Sequence, residues 1–161
     1  MAITVRKGNE ADFDAIMDMI KELAAFEKAT GAVRNSAAQM AEEKGLFGCF
    51  VAEHDGRPIG YAIYFFAYYT WVGKSLYMED IYVRPEFRGR KVGSMLLRKV
   101  FEVARENGCK RVRWQVLDWN ADAIGFYKKR GARVSKEWLN CDFDEKGIES
   151  FLKEARTREV G

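Results

Sequence analysis

The chain is poor in cysteine, histidine and proline, and each scarcity excludes something. Its three cysteines among 161 residues (Cys49, Cys109, Cys141) are odd in number and far apart. With no C-x-x-C pair, neither a zinc site nor a disulfide framework is expected, and the thiols fit the reducing cytoplasm. The one histidine, His54, cannot build a multi-histidine metal site and stands beside an Asp-Gly turn. Two prolines, Pro58 and Pro85, leave no proline-rich linker. No run of 18 apolar residues occurs, so no transmembrane helix is expected. Arg6, Lys7, Glu10 and Asp12 break up any signal-peptide core. Neither charge sign dominates: 27 basic and 24 acidic residues give a net charge of +3. They are interspersed, so nothing points to nucleic acid or to a membrane surface.

What is present is apolar content. Hydrophobic residues make up 48% and charged residues 32%, the balance of a packed core. Residues 1–161 are read as one domain. Ile3–Arg6 reads as a strand. Asn9 caps a helix to about Phe26, with Phe13, Ile16, Met17, Ile20 and Leu23 on one face. Ser36 and Gln39 form a capping box for a short helix ended by Gly45. Phe47–His54 and Ile59–Tyr69 are strands about the Asp55-Gly56 turn, and Ser75–Arg84 is another, stopped by Pro85. A helix follows from about Val92 to Asn107. Arg111–Leu117 is a strand, and Asn120 caps a helix to about Arg130. Arg133–Phe143 holds one or two strands. Ile148, Phe151, Leu152 and Ala155 mark a final amphipathic helix. The Ser75–Leu117 unit is a right-handed parallel crossover.

Two segments carry chemistry. In MEDIYVRPEFRGRKVGSMLL (Met78–Leu97), a strand runs through a basic, Gly-containing loop into a helix. Helix N-termini leave backbone N–H groups unpaired and carry partial positive charge. Gly89 and Gly93 allow close approach, and Arg88, Arg90 and Lys91 add charge, which together suit a pyrophosphate. The loop is neither a Walker A nor a G-x-G-x-x-G motif; a solvated helix cap has the same composition. In LDWNADAIGFYKKRGA (Leu117–Ala132), Asn120 starts a helix that carries Tyr127.

Taken together, the segments resemble the GNAT superfamily of acetyl-CoA-dependent N-acetyltransferases over nearly the whole chain. The runs KELAAFEK, YYTWVGKSLYMEDIYV, VLDWN and FYKKRGA resemble the spermidine/spermine branch and its thialysine acetyltransferase relatives. The resemblance implies an α/β (α+β) GNAT fold. Its mixed, mostly antiparallel central sheet has a splayed parallel strand pair and helices on both faces. It implies acetyl-CoA as co-substrate, no metal, a homodimer and a cytoplasmic enzyme. It places the cofactor on Ile81, Tyr82 and Val83, on Arg88, Gly89, Arg90, Lys91, Val92, Gly93 and Ser94, and on Asn120 and Lys129. Lys91 stands where the family's loop has a glycine.

Amine acetylation needs a neutral amine, and an alkyl ammonium has a pKa near ~10.4, so a proton must leave before attack. The departing thiolate benefits from an acid. The resemblance gives Tyr127 the acid's role and Glu79 the base's. Neither motif offers an obvious Cys or Ser nucleophile, so attack is direct. Strand alternation sends the side chains of Glu79 and Asp80 to opposite faces, and the residues alone do not choose between them. On the acceptor side the resemblance implies Glu27, Trp71, Asp80 and Glu137: carboxylates for an ammonium, a ring face for cation–π contact. The polyamine enzymes carry an acid two residues before that Trp, where this chain has Tyr69. The loss of one acid and the basic pI favour a small primary amine, a diamine or a thialysine-like amino acid over a polycation. The alternatives are a protein N-terminal or lysine acetyltransferase, and a non-catalytic acyl-CoA-binding module.

Overall fold

In the computed structural model, residues 2–159 are described. The chain divides into two compact units, Met1–Leu117 and Asp118–Gly161.

The first unit is a five-stranded sheet in the order β1-β2-β3-β4-β5. Strand β1 is Ile3–Lys7, β2 Gly48–His54, β3 Arg57–Tyr69, β4 Gly73–Val83 and β5 Val112–Arg113. All neighbours are antiparallel except β4 and β5, which are parallel. The β2–β3 hairpin turns where expected: Asp55 and Gly56 both take positive φ, 53° and 72°, as a tight hairpin turn demands.

Helix α1 (Phe13–Phe26) starts one short turn later than the sequence implies. Asn9 caps a 3-10 turn over Glu10–Asp12, its side chain accepting from Ala11 N–H while Asp12 accepts from Asn9 N–H. Arg6 grips the buried Asp12 with two hydrogen bonds, 2.7 and 2.8 Å, and so ties β1 to the start of α1. The helix buries Phe13, Ile16, Met17 and Met19 against Cys49, Val51, Tyr61, Ile63 and Tyr82 of the sheet. Each such side chain contributes about 1.5–3 kcal/mol of burial. Helix α2 (Ala37–Glu42) adds Met40 to this core. Its capping box is only half formed. Ser36 Oγ accepts from Gln39 N–H, but the Gln39 side chain donates to Glu43, and Gly45 lies in a separate 3-10 turn. Helix α3 (Val92–Glu106) buries Val92, Leu96, Val100 and Ala104 on the opposite face. Gly60 of β3 is required by the neighbouring strand: a Cβ there would sit 2.7 Å from the Tyr82 carbonyl of β4, and also 3.4 Å from Leu96 of α3.

The expected strand Arg111–Leu117 is confined to Val112–Arg113, paired with Leu76 and Tyr77. Just beyond this pairing β4 carries a bulge, which bends and twists a strand away from its neighbour.

In the second unit, α4 spans Ala121–Lys129 and α5 Glu145–Glu159. Asn120 Oδ1 caps α4 by accepting from Ala123 N–H, and Gly131 ends it with φ of 93°. The strands expected in Arg133–Phe143 do not form: residues 133–143 carry no ladder and are mostly exposed. The expected apolar face of α5 is also uncovered, with Ile148, Phe151 and Leu152 half-exposed or more. Phe143 stacks edge-on against Phe151. The side chain of Ala155 lies outside the described residues.

Candidate active site

The site is built around an irregularity in β4. Tyr64 of β3 opposes Met78 and Ile63 opposes Asp80, so Glu79 is an extra residue in the ladder. This bulge resets the alternation that the sequence pattern implies. Asp80 falls on the face of its partner Ile63, the face that carries Tyr61, Tyr82 and α1. Glu79 is solvent-exposed and Asp80 half-buried.

Three carboxyls interact here. Although the residue as a whole is exposed, partial desolvation of its carboxyl and the charge of Asp80 push Glu79 above its ordinary range. The same two causes raise Glu27, the residue that caps the C-terminal end of α1. Asp80 is raised by burial, opposed by a hydrogen bond from Tyr61, whose hydroxyl donates to Asp80 Oδ2 at 3.0 Å. Tyr61 is 0% exposed. Its own ionisation is suppressed by burial and by the negative charges of Asp80 and Glu27. Beside it, the Tyr82 hydroxyl donates to Glu22 on α1 at 3.0 Å, and Glu22 also pairs with Arg84 at 3.2 Å. A cluster of carboxyls held above their ordinary range suits work as a proton acceptor near neutral pH.

From Met78 to Val83, β4 pairs only with β3, because the β5 ladder stops at Tyr77. Ile81, Tyr82 and Val83 therefore have one edge outside the ladder, where an amide-bearing ligand could pair. The chain then enters the basic loop. Gly89 and Lys91 both adopt left-handed backbone, φ 77° and 65°, which turns the chain into α3. The first intrahelical bond of α3 joins Met95 N–H to the Lys91 carbonyl. The N–H groups of the preceding turn thus point out of the helix end. Arg88 donates to the Val83 carbonyl at 2.9 Å, and its guanidinium lies over the Phe26 and Tyr82 rings. Arg90 lies over Phe87. The Val92 side chain is buried in the core, so its backbone is the part at the helix end. The loop fits an anion through its backbone turn and three cations.

The other sequence-derived candidates are described within their own elements. Asn120, Tyr127 and Lys129 belong to α4 of the second unit, where Tyr127 is 9% exposed and packs edge-on against Phe126. The Asn120 carboxamide oxygen is engaged in capping. Glu137 is exposed in the irregular segment. Trp71 stands at the tip of the β3–β4 hairpin, 84% exposed.

The model of the acetyltransferase (GNAT) family matches residues 13–132, a span that includes the bulge, the basic loop and α4. The chain belongs to the GNAT acetyltransferase family. Its relatives include the thialysine N-epsilon-acetyltransferase of Sus scrofa, 42% identical over 158 residues, covering 89% of this chain and 93% of the relative. The Mus musculus enzyme of the same name is 40% identical, covering 87% and 91%. A solved integron cassette protein from the mobile metagenome of V. cholerae superposes with a TM-score of 0.76 at 22% identity, covering 95% of this chain and 99% of its own. That likeness shows the fold alone. The GNAT fold expected from the motifs is thus the fold found, and the relatives support acetyl transfer to a small-molecule amine. GNAT acetyltransferases use acetyl-CoA, which supplies the acetyl group as an activated thioester. Among the described residues no helix is long and apolar enough to cross a membrane.

Sequence reasoning missed Tyr61, which looks like one more aromatic in an apolar strand, and the Glu22–Arg84 pair. The one available signal was the acidic pair Glu79-Asp80 inside an otherwise apolar strand, an odd placement that a bulge resolves.

Proposed function

We propose that this GNAT acetyltransferase moves the acetyl group of acetyl-CoA to the terminal amine of a small aminoalkyl acceptor, a diamine or a thialysine-like amino acid. The observation that carries this reading is the bulge at Glu79, which gathers Glu79, Asp80 and Glu27 beside the strand edge that β5 leaves. Asp80 and Glu27 receive the acceptor's ammonium. Glu79 accepts its proton, directly or through a water, leaving a neutral amine to attack. Tyr127 donates a proton to the leaving thiolate. Ile81, Tyr82 and Val83 hold the cofactor's amide-bearing arm, and residues Arg88–Ser94 hold its pyrophosphate, with Asn120 and Lys129 as further contacts. Residues 1–161 act as one catalytic domain, in the cytoplasm and as a homodimer, which the resemblance supports. The relatives' printed names support the acceptor class.

The test is thiol release from acetyl-CoA against thialysine, lysine, ornithine, putrescine, spermidine, spermine and short peptides. Release with the small amines is the expected result. Release with peptides only would transfer the reading to protein acetylation. Acetyl-CoA binding without release to any acceptor would leave a binding module.

A further inference from the structure

A single carboxylate on α1 holds two side chains of β4. Glu22 Oε2 accepts from the Tyr82 hydroxyl at 3.0 Å, and Glu22 Oε1 pairs with Arg84 Nη2 at 3.2 Å. Burial and Glu22 hold the Tyr82 phenol above its ordinary pKa, so it stays protonated and donates. The Arg84 side chain is only 16% exposed. Its Nη1 donates to the Pro58 carbonyl at 3.3 Å, and its buried Nε has no hydrogen-bond partner among the described residues. Among those residues Glu22 is the one carboxylate that balances this guanidinium.

The two gripped residues flank Val83. Strand alternation puts the side chains of Tyr82 and Arg84 on one face and that of Val83 on the other. The peptide groups alternate as well. Arg84 N–H donates to the Ile59 carbonyl of β3 at 2.9 Å. Hydrogen-bonded and non-bonded pairs follow one another along an antiparallel ladder. Tyr82, opposite Tyr61, therefore also turns its peptide groups to β3, whereas Val83, opposite Gly60, turns its own outward. The Arg88 side chain reaches that outward carbonyl, donating to Val83 O at 2.9 Å. Ile81 shares the phase of Val83.

The β5 ladder ends at Tyr77, so β5 does not hold this stretch of β4 in place. Its supports are the ladder with β3 and the Glu22 fork. The fork bears on the residues either side of an outward peptide group, and so sets where that group points.

We propose that Glu22 is a positioning residue: by holding Tyr82 and Arg84 together, it fixes the outward peptide groups of Ile81 and Val83 for the amide-bearing arm of acetyl-CoA. The proposal rests on the reading above that this edge holds the arm, and names the residue that sets the edge. Glu22 acts through the strand and not on the cofactor itself. An edge held in place beforehand spares the arm the cost of ordering it.

The test compares CoA with its nucleotide half, adenosine 3′-phosphate 5′-diphosphate, by titration calorimetry. That half keeps the pyrophosphate and lacks the arm, so effects on the basic loop cancel in the ratio of the two affinities. In the wild type the arm should tighten binding by about tenfold or more, the worth of one or two hydrogen bonds. Glu22→Ala should lose most of that gain, while affinity for the nucleotide half changes by no more than about twofold. Glu22→Gln keeps an acceptor for Tyr82 but no charge for Arg84, and should lie between; it carries the same comparison should Glu22→Ala fail to fold. Charge alone predicts the opposite sign, because removing an acid would tighten both polyanions alike. Variants that weaken both ligands equally, weaken neither or tighten both would overturn the positioning role and leave the cofactor edge intact. A wild type that binds CoA no more tightly than the nucleotide half would overturn the edge reading, and the role of Glu22 with it.

Discussion

The hydroxyl of Tyr61 donates to Asp80 Oδ2 across adjacent strands at 3.0 Å, from a side chain with 0% exposure. The contact exists because the bulge at Glu79 returns Asp80 to the face of Tyr61. The bond opposes the upward push that burial gives the Asp80 carboxyl. Tyr61→Phe removes the opposing influence and lets the carboxyl rise further. The acidic limb of the kcat/KM profile should therefore move to higher pH. A pH–rate series on the variant checks this, and an unmoved limb would uncouple Asp80 from the reaction. A purely structural hydroxyl would lower stability, by about 1 kcal/mol, without moving the limb.

Glu79 and Asp80 can be separated by their pH profiles. If Glu79 is the base, the rate falls on acidification as its carboxylate protonates. Glu79→Gln should then lower kcat by about 100-fold and flatten the low-pH limb. A variant that keeps the wild-type limb passes the base role to Asp80.

Asp80→Asn carries an opposite prediction for stability. A carboxyl raised by burial binds its proton more tightly in the folded chain than in the unfolded one. Its contribution to stability is therefore complete at low pH and is lost as pH rises from the ordinary aspartate value of 3.8 through the raised one. The amide carries no charge and can still accept from Tyr61. The variant should melt a few degrees above the wild type at neutral pH and lose that advantage near pH ~3, while its acetylation rate falls. Asp12 is the contrast within the same chain. Its hydrogen bonds with Arg6 hold its carboxyl below the ordinary range, so it stabilises at neutral pH and fails on acidification. Melting temperatures across pH test both signs.

How far the sequence carried the fold follows from where its signals were local. The capped amphipathic helices, the Asp55-Gly56 hairpin and the strand-to-helix loop each have a periodicity or turn residue that reports them. Arg133–Phe143 alternates like a strand, yet finds no ladder, because alternation states a preference and pairing needs a partner edge. The bulge was illegible for a related reason. It is a register offset between β3 and β4, and neither strand's pattern records how it aligns with the other. For the candidate site this meant that the acids were found but their faces were not. It also hid Tyr61, whose role depends on where Asp80 stands across the ladder from it.

Lys91 turns a family departure into a measurable cost. It holds φ of 65° at the entry to α3, a left-handed conformation that costs a side-chain-bearing residue roughly 1–2 kcal/mol. The glycine usual in this family's loop avoids that cost. Lys91→Gly should raise stability by about 1 kcal/mol, or roughly 3 °C in melting temperature. It also removes a cation from the anion loop, so KM for acetyl-CoA should rise and depend less steeply on salt. Higher stability with an unchanged KM would show that the lysine does not reach the phosphates.

Tyr127 is tested by removing one atom. Its ring is 9% exposed on α4, and phenylalanine fills the same volume, so the fold should tolerate the change. A general acid contributes about 10²–10⁴-fold, which sets the expected fall in kcat. The protonation step follows amine attack, so acetyl-CoA affinity, measured by titration calorimetry, should change by no more than about twofold, less than ~0.5 kcal/mol. Replacing the amine's thioester partner by one with a more acidic leaving thiol should restore part of the rate, because a better leaving group needs less help from an acid. Wild-type turnover in Tyr127→Phe would remove the acid assignment. A large drop that the better leaving group does not rescue would move Tyr127 from proton donation to positioning.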